Sequence, residues 1–191
     1  MAREYELKFT VTKDALEDIK SAFDGFSVYN MQTSYYDTCD YLIASRNGTL
    51  RKRIENDQCL FTLKLPEGKS SRLEYETSCE TLSEAISAFA AMGAPAWTHI
   101  VSEQSLICVC SAKFVRMAKK IQENGTEFEL ALDKGILAAG DRDCCFQEVE
   151  LELKTGEESV VNQFADNLAE RFSLKPENHS KYQRAFSLSR M

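Results

Sequence analysis

Polar and apolar residues alternate along most of this chain with a period of two, as in strands whose two faces differ. In Tyr5-Glu6-Leu7-Lys8-Phe9 the apolar residues hold the odd positions and the charges the even ones. Glu148-Val149-Glu150-Leu151-Glu152-Leu153-Lys154 is charged on one face and aliphatic on the other. The same phase puts Arg51 with Arg53, Thr62 with Lys64, Arg72 with Glu74 and Glu76, and Glu127 with Glu129 and Asp133. Strands are predicted over Arg3–Val11, Val28–Asp37, Thr49–Glu55, Gln58–Leu65, Leu73–Cys79, Ser105–Cys110, Ala112–Ile121, Thr126–Lys134 and Cys144–Lys154. Asn47-Gly48, Asn56-Asp57 and Asn124-Gly125 predict hairpin turns, and Pro66 to Ser71 a short polar turn. Neighbouring strands joined by tight turns predict an antiparallel sheet.

Elsewhere the period lengthens to that of a helix. Thr12–Phe23 carries Ala15, Leu16, Ile19, Ala22 and Phe23 on one stripe. Thr81–Met92 carries Leu82, Ala85, Ile86, Phe89 and Ala90 and is closed by Gly93. Glu157–Phe172 carries Val160, Val161, Phe164, Leu168 and Phe172, and a short helix is expected over Asn178–Leu188. These helices need an apolar surface, and the Tyr, Leu and Phe faces of the strands supply it.

A single charged strand face is ordinarily solvated surface with cross-strand ion pairs. Here the pattern recurs on most strands. Glutamates two apart on one strand, as in Glu148/Glu150, lie within about 7 Å and repel unless cations fill the gap. If helices cover the outside of a curved sheet, the charges point inward, into a barrel with a polar lumen. Paired carboxylates are hard oxygen ligands suited to Mg²⁺ or Mn²⁺. Arg51, Arg53 and Lys64 would face a multiply charged anion, with Arg giving bidentate contacts to phosphate. Carboxylates, a hard cation and several Arg/Lys residues are the equipment of phosphoryl chemistry.

Composition narrows the picture. The 191 residues suit a single domain over 1–191 with no need of disulfides or metal to fold. With 23 Lys+Arg against 30 Asp+Glu the formal net charge is −7, which argues against nucleic acid or an anionic membrane as partner. No G-x-G-x-x-G or P-loop pattern occurs. Seven scattered cysteines without a C-x-x-C pair, and only His99 and His179 besides, argue against zinc and read as reduced, buried thiols. The start, Met-Ala-Arg-Glu-Tyr-Glu, has no apolar run of a signal peptide, and no segment nears the ~20 apolar residues of a membrane span, so a cytoplasmic protein is expected. A homodimer stays open, since no helix demands one.

The motifs, taken in order, resemble the CYTH superfamily, the triphosphate tunnel metalloenzymes. Glu4-x-Glu6-x-Lys8 is similar to its E-x-E-x-K signature, Tyr35-Tyr36-Asp37-Thr38 to Y-F-D-T, and Leu50-Arg51-Lys52-Arg53 to L-R-x-R. Thr62-Leu63-Lys64, Arg72-Leu73-Glu74 and Phe114-Val115-Arg116 resemble its basic strands. Glu129 to Gly135 is similar to E-x-A-x-D-x-G, Glu148 to Glu152 to the late acidic strand, and Ser180-Lys181-Tyr182-Gln183-Arg184 to S-K-x-x-R. The resemblance implies an α+β fold, an eight-stranded antiparallel β-barrel tunnel with flanking helices.

It also implies metal-dependent hydrolysis of a triphosphate: inorganic tripolyphosphate first, or thiamine triphosphate or a nucleoside triphosphate. A class IV-type adenylyl cyclase making cyclic AMP and a non-catalytic polyphosphate-binding module are the alternatives. Carried over by position, Glu4, Glu6, Glu148, Glu150, Glu129 and Asp133 would hold Mg²⁺ or Mn²⁺. Lys8, Arg51, Arg53, Lys64, Arg116, Lys181 and Arg184 would bind the phosphates, with Lys8, Arg53 and Glu150 acting in catalysis. Arg72 and Glu74 could instead pair with each other at one mouth, Glu152 could be rim charge, and the role of His179 is open. The cyclase-type members share a His-Phe pair before E-x-E-x-K; only Met1, Ala2 and Arg3 precede Glu4 here, which favours a hydrolase.

Overall fold

The computed structural model describes residues 5–67, 71–98, 101 and 106–189; Glu4 and His99 lie outside the described residues, as does the Arg72 side chain. The strands are β1 (Glu6–Thr10), β2 (Ser27–Thr38), β3 (Thr49–Glu55), β4 (Gln58–Glu67), β5 (Ser71–Ser78), β6 (Leu106–Glu123), β7 (Thr126–Ala139), β8 (Arg142–Thr155) and the two-residue β9 (Lys175–Pro176). The helices whose bounds fall among the described residues are α1 (Lys13–Ala22), α2 (Leu82–Ala91), α3 (Glu158–Phe172) and α4 (Lys181–Leu188). All strands join one antiparallel sheet in the order β5-β4-β3-β2-β6-β7-β8-β1-β9. Eight strands thus form the wall, and β9 only caps the free edge of β1. Among the described residues no backbone pairing joins the two ends of the ladder.

Local chemistry accounts for most joints. Asn56 and Asp57 (φ +43° and +75°) turn β3 into β4, and Asn124 and Gly125 (φ +49° and +75°) turn β6 into β7, as two-residue loops with positive φ require. Gly140-Asp141 makes a third such loop, so β7 and β8 run further than the alternation indicated, to Ala139 and from Arg142. Asn47-Gly48 is not a hairpin: Asn47 (φ +55°) closes a 3₁₀ turn over Ala44–Arg46 ahead of β3. The expected strands Ser105–Cys110 and Ala112–Ile121 are one strand, β6. Tyr35 faces Cys110 and Tyr36 faces Cys108, leaving Val109 as a bulge that reverses which positions point inward.

That 3₁₀ turn hangs on one buried carboxylate. Asp37 accepts from the backbone N–H of Thr38 at 2.8 Å, Ile43 at 2.9 Å and Ala44 at 2.9 Å. Asp37→Ala leaves three donors unmatched and is expected to lower stability by about 2–3 kcal/mol, measured by urea unfolding; an unchanged midpoint would mean the turn holds without it.

Two outer cores match the apolar strand faces. Leu16 and Ile19 of α1 and Val161, Ala165 and Leu168 of α3 pack on Phe9, Leu130, Leu132, Val149 and Leu151. Ala85, Ile86 and Phe89 of α2 pack on Leu50, Phe61, Leu63, Leu65 and Tyr75. The outer face of β2, β6 and β7 between them leaves Val28, Val115 and Ile136 exposed. All seven cysteines are free, but only Cys110 is buried; Cys39, Cys108 and Cys145 are exposed, against expectation. Cys145 lies opposite Ile136 on that uncovered face.

Helix α4 lies on the opposite face. Ala185 is fully buried against Met31, Tyr35, Ala112, Phe114, Leu137 and Phe146, residues in phase with the charged positions Arg116, Asp133 and Glu148. The sheet is therefore apolar at one end of its inner face, where α4 sits, and charged at the other. Arg53 on β3 and Glu150 on β8 stand four ladder steps apart, about 19 Å on a flat sheet. Glu150 nevertheless acts electrostatically on Arg53, because the sheet curls into a tunnel.

Candidate metal and phosphate site

Register brings the acidic residues together. Asp133 on β7 pairs with Glu148 on β8, and Lys8 on β1 with Glu150. Asp133 and Glu148 are fully buried and Glu150 nearly so. One carboxylate oxygen from each of Asp133, Glu148 and Glu150 lies within 4.8 Å of the others. Buried carboxylates this close demand cations, and one strand and one helix supply them. Arg116, opposite Asp133 in the ladder, forks onto it with Nε–Oδ1 2.8 Å and Nη2–Oδ2 2.7 Å, and its Nη2 also contacts Glu150.

The other cations come from α4. Ser180 caps the helix, accepting from Gln183 N, while Gln183 accepts from Ser180 N in return, which fixes where the first turn begins. From that turn Lys181 Nζ reaches Asp133 Oδ2 at 2.7 Å and Glu150 Oε1 at 2.9 Å and contacts Glu148. Arg184 Nη2 contacts the other oxygen of Glu148.

These contacts set the protonation. Burial pushes the Glu150 carboxyl up, but Lys181 and Arg116 overcome it and hold the group well below the usual carboxylate range. Burial also acts on Glu148 and there prevails, with Glu150 adding to the rise against the pull of Lys181 and Arg184. Burial pulls Lys181 down, yet Glu150, Asp133 and Glu148 raise it well above an ordinary lysine.

The opposite wall is basic. On β3 and β4, Arg51 Nε donates to Thr62 Oγ1 at 3.1 Å, which donates to Glu76 Oε2 at 3.0 Å. Lys64 lies 3.4 Å and Arg51 3.8 Å from Glu74, so Glu74 already serves two cations of the lumen. Arg53 differs. Its Nε is buried with no hydrogen-bond partner among the described residues. Burial, with Arg51 and Arg116 nearby, lowers its pKa to about 10. A buried guanidinium with an unmatched N–H presents a donor to an anion.

The remaining expected residues are more peripheral. Glu6 lies opposite Glu152 and 3.6 Å from Lys8. Glu129 stands 3.9 Å from Arg116 Nη1, and Glu152 pairs with Lys154 at 2.7 Å. His179 is exposed and bonds Glu177 at 3.2 Å, outside the cluster. The alternation passed over Phe114 and Phe146, which line the floor beneath Lys181. Their signal was present: each sits two residues before a charged inward residue, Arg116 and Glu148.

A family model described as the CYTH domain matches residues 2–186. The chain belongs to the CYTH domain family. An inorganic triphosphatase of Haemophilus influenzae is 26% identical to this CYTH chain over 200 residues. The match covers 98% of the chain but 55% of that protein, so the chain spans about half the length of this curated relative. Among solved structures, HpAC1 from Hippeastrum, an adenylyl cyclase candidate described as having a dominant triphosphatase activity, aligns with a TM-score of 0.70 at 19% identity, covering 97% of this chain and 95% of that one. An adenylate cyclase candidate from Bacillus halodurans aligns with a TM-score of 0.63 at 18% identity, covering 96% of this chain and 98% of that one. PH1819 of Pyrococcus horikoshii gives 0.62 at 19%, with 96% and 98% covered. These structures show the CYTH tunnel fold with its flanking helices. No helix among the described residues is long and apolar enough to cross a membrane.

Proposed function

We propose that this CYTH protein hydrolyses a triphosphate, inorganic tripolyphosphate first, with Mg²⁺ or Mn²⁺ bound in the tunnel. The observation that carries the reading is the meeting of three buried carboxylates with a basic wall whose Arg53 keeps an unmatched donor. The carboxylates fit a hard divalent ion, since oxygens on one such ion at 2.0–2.6 Å stand within about 5 Å of each other. Asp133, Glu148 and Glu150 would hold it, with Glu6 and Glu129 on the same wall; Glu4 is assigned to the metal by its motif alone. Such an ion withdraws charge from phosphate oxygens and makes bound water a better nucleophile.

The chain's own residues supply the rest. Arg51, Arg53, Lys64, Arg116 and Lys8 would grip the phosphate oxygens, and Lys181 and Arg184 would join them where the carboxylates hold a divalent ion in their place. Water adds to a terminal phosphorus, the anhydride bond breaks, and phosphate and diphosphate leave. The named relative's activity on inorganic triphosphate supports the substrate class.

A phosphate-release assay with tripolyphosphate, thiamine triphosphate and ATP tests this. Release in Mg²⁺ or Mn²⁺ and none in EDTA is expected, with tripolyphosphate preferred. Cyclic AMP from ATP would favour a cyclase, and tight binding without turnover a binding module.

A further inference from the structure

Gly135 on β7 stands in the ladder between Phe114 of β6 and Phe146 of β8. A Cβ there would overlap the Lys113 carbonyl oxygen and the Phe114 backbone. With only hydrogen in that place, the two rings close over the strand and meet edge to face, centroids 5.7 Å apart. Both are buried, 4% and 7% exposed. Lys181 Nζ lies 5.0 Å from the Phe114 centroid and 5.6 Å from that of Phe146. The Arg184 guanidinium lies 5.4 Å from Phe146 and that of Arg116 5.8 Å from Phe114. All four contacts fall within the ~6 Å at which a ring face attracts a cation.

The first turn of α4 contains no acidic residue. Cations at a helix N-terminus oppose the macrodipole, so Lys181 and Arg184 need attraction from elsewhere. The carboxylates provide it, but under the proposed function they have a second claimant, the divalent ion. The rings have none.

We propose that Phe114 and Phe146 are positioning residues, an aromatic floor that keeps Lys181 and Arg184 in the lumen when Asp133, Glu148 and Glu150 turn to metal, so that both cations meet the triphosphate. This rests on the triphosphatase reading. The floor must then matter more with metal bound than without it, whereas a packing role would act equally in both states.

The test replaces Phe146 by 4-fluoro-, 3,5-difluoro- and 3,4,5-trifluorophenylalanine, which weaken the ring's negative face at nearly constant shape, alongside F114L and F146L. In Mg²⁺ the KM for tripolyphosphate should climb stepwise to about tenfold, the order of a desolvated cation–ring contact, with kcat within about twofold and melting temperature not following the series. Tripolyphosphate affinity in EDTA, read by calorimetry, should change less than twofold. A flat KM across the fluorinated series, or equal losses with and without Mg²⁺, overturns the proposal. Should a leucine variant fail to fold, the fluorinated series decides. Should the wild type bind tripolyphosphate in Mg²⁺ without turnover, the triphosphatase reading fails, and the floor is judged on the same comparison of affinities. No binding by the wild type overturns both.

Discussion

Glu150→Gln is expected to lower kcat for metal-dependent phosphate release by roughly 10³-fold while tripolyphosphate affinity falls far less. The neutral amide keeps the shape of the side chain but removes one of three charges that together face the ion. Several kcal/mol of charge stabilisation depend on that ion, and about 4 kcal/mol corresponds to three orders of magnitude in rate. Binding loses less because Arg51, Arg53 and Lys64 on the opposite wall are untouched. Glu17, exposed on α1 and 3.7 Å from Lys20, is the control, and Glu17→Gln should leave both constants unchanged. Equal losses in rate and affinity at Glu150 would show that the carboxylate serves binding alone.

Lys181→Met is the second large effect, and it falls on stability. The ammonium touches Asp133, Glu148 and Glu150 at once. Removing one partner of a buried ion pair costs about 3–5 kcal/mol because the other charges stay buried. For a chain of this size that is a drop of roughly 10 °C in metal-free melting temperature. Mg²⁺ or Mn²⁺ should then restore more stability to the variant than it adds to the wild type, since in the wild type the ion must displace Lys181 from the same oxygens. Mass action sets the gain at about 2.7 kcal/mol when free metal is 100 times its dissociation constant. An identical metal response in both proteins would place the ion elsewhere.

The alternation carried much of this in the sequence. Period two separates Leu151 and Val149 from Glu150 and Glu148, and helices that need apolar ground leave the charges only the inside. Arg116 came only through its resemblance to a basic strand of the family, because the register that sets it opposite Asp133 is written in neither strand alone. The side of the sheet that takes α4 was not, because the stripe of Tyr182, Ala185 and Phe186 says that the helix packs but not on which face. The bulge at Val109 was hidden too: one extra residue reverses the phase, and a reversed phase looks like two strands. Asp37 binds backbone six and seven residues ahead in an aperiodic loop, where no pattern could announce it.

Helix α4 follows all eight wall strands along the chain. During synthesis at ~5–20 residues per second, Asp133, Glu148 and Glu150 therefore leave the ribosome before Lys181 and Arg184. For those seconds the nascent wall is short of two of its cations. It must wait splayed apart by its own repulsion, or close around a divalent ion from solution. In the second case the ion acts first as a folding aid, and the lysine later competes with it for a place already taken.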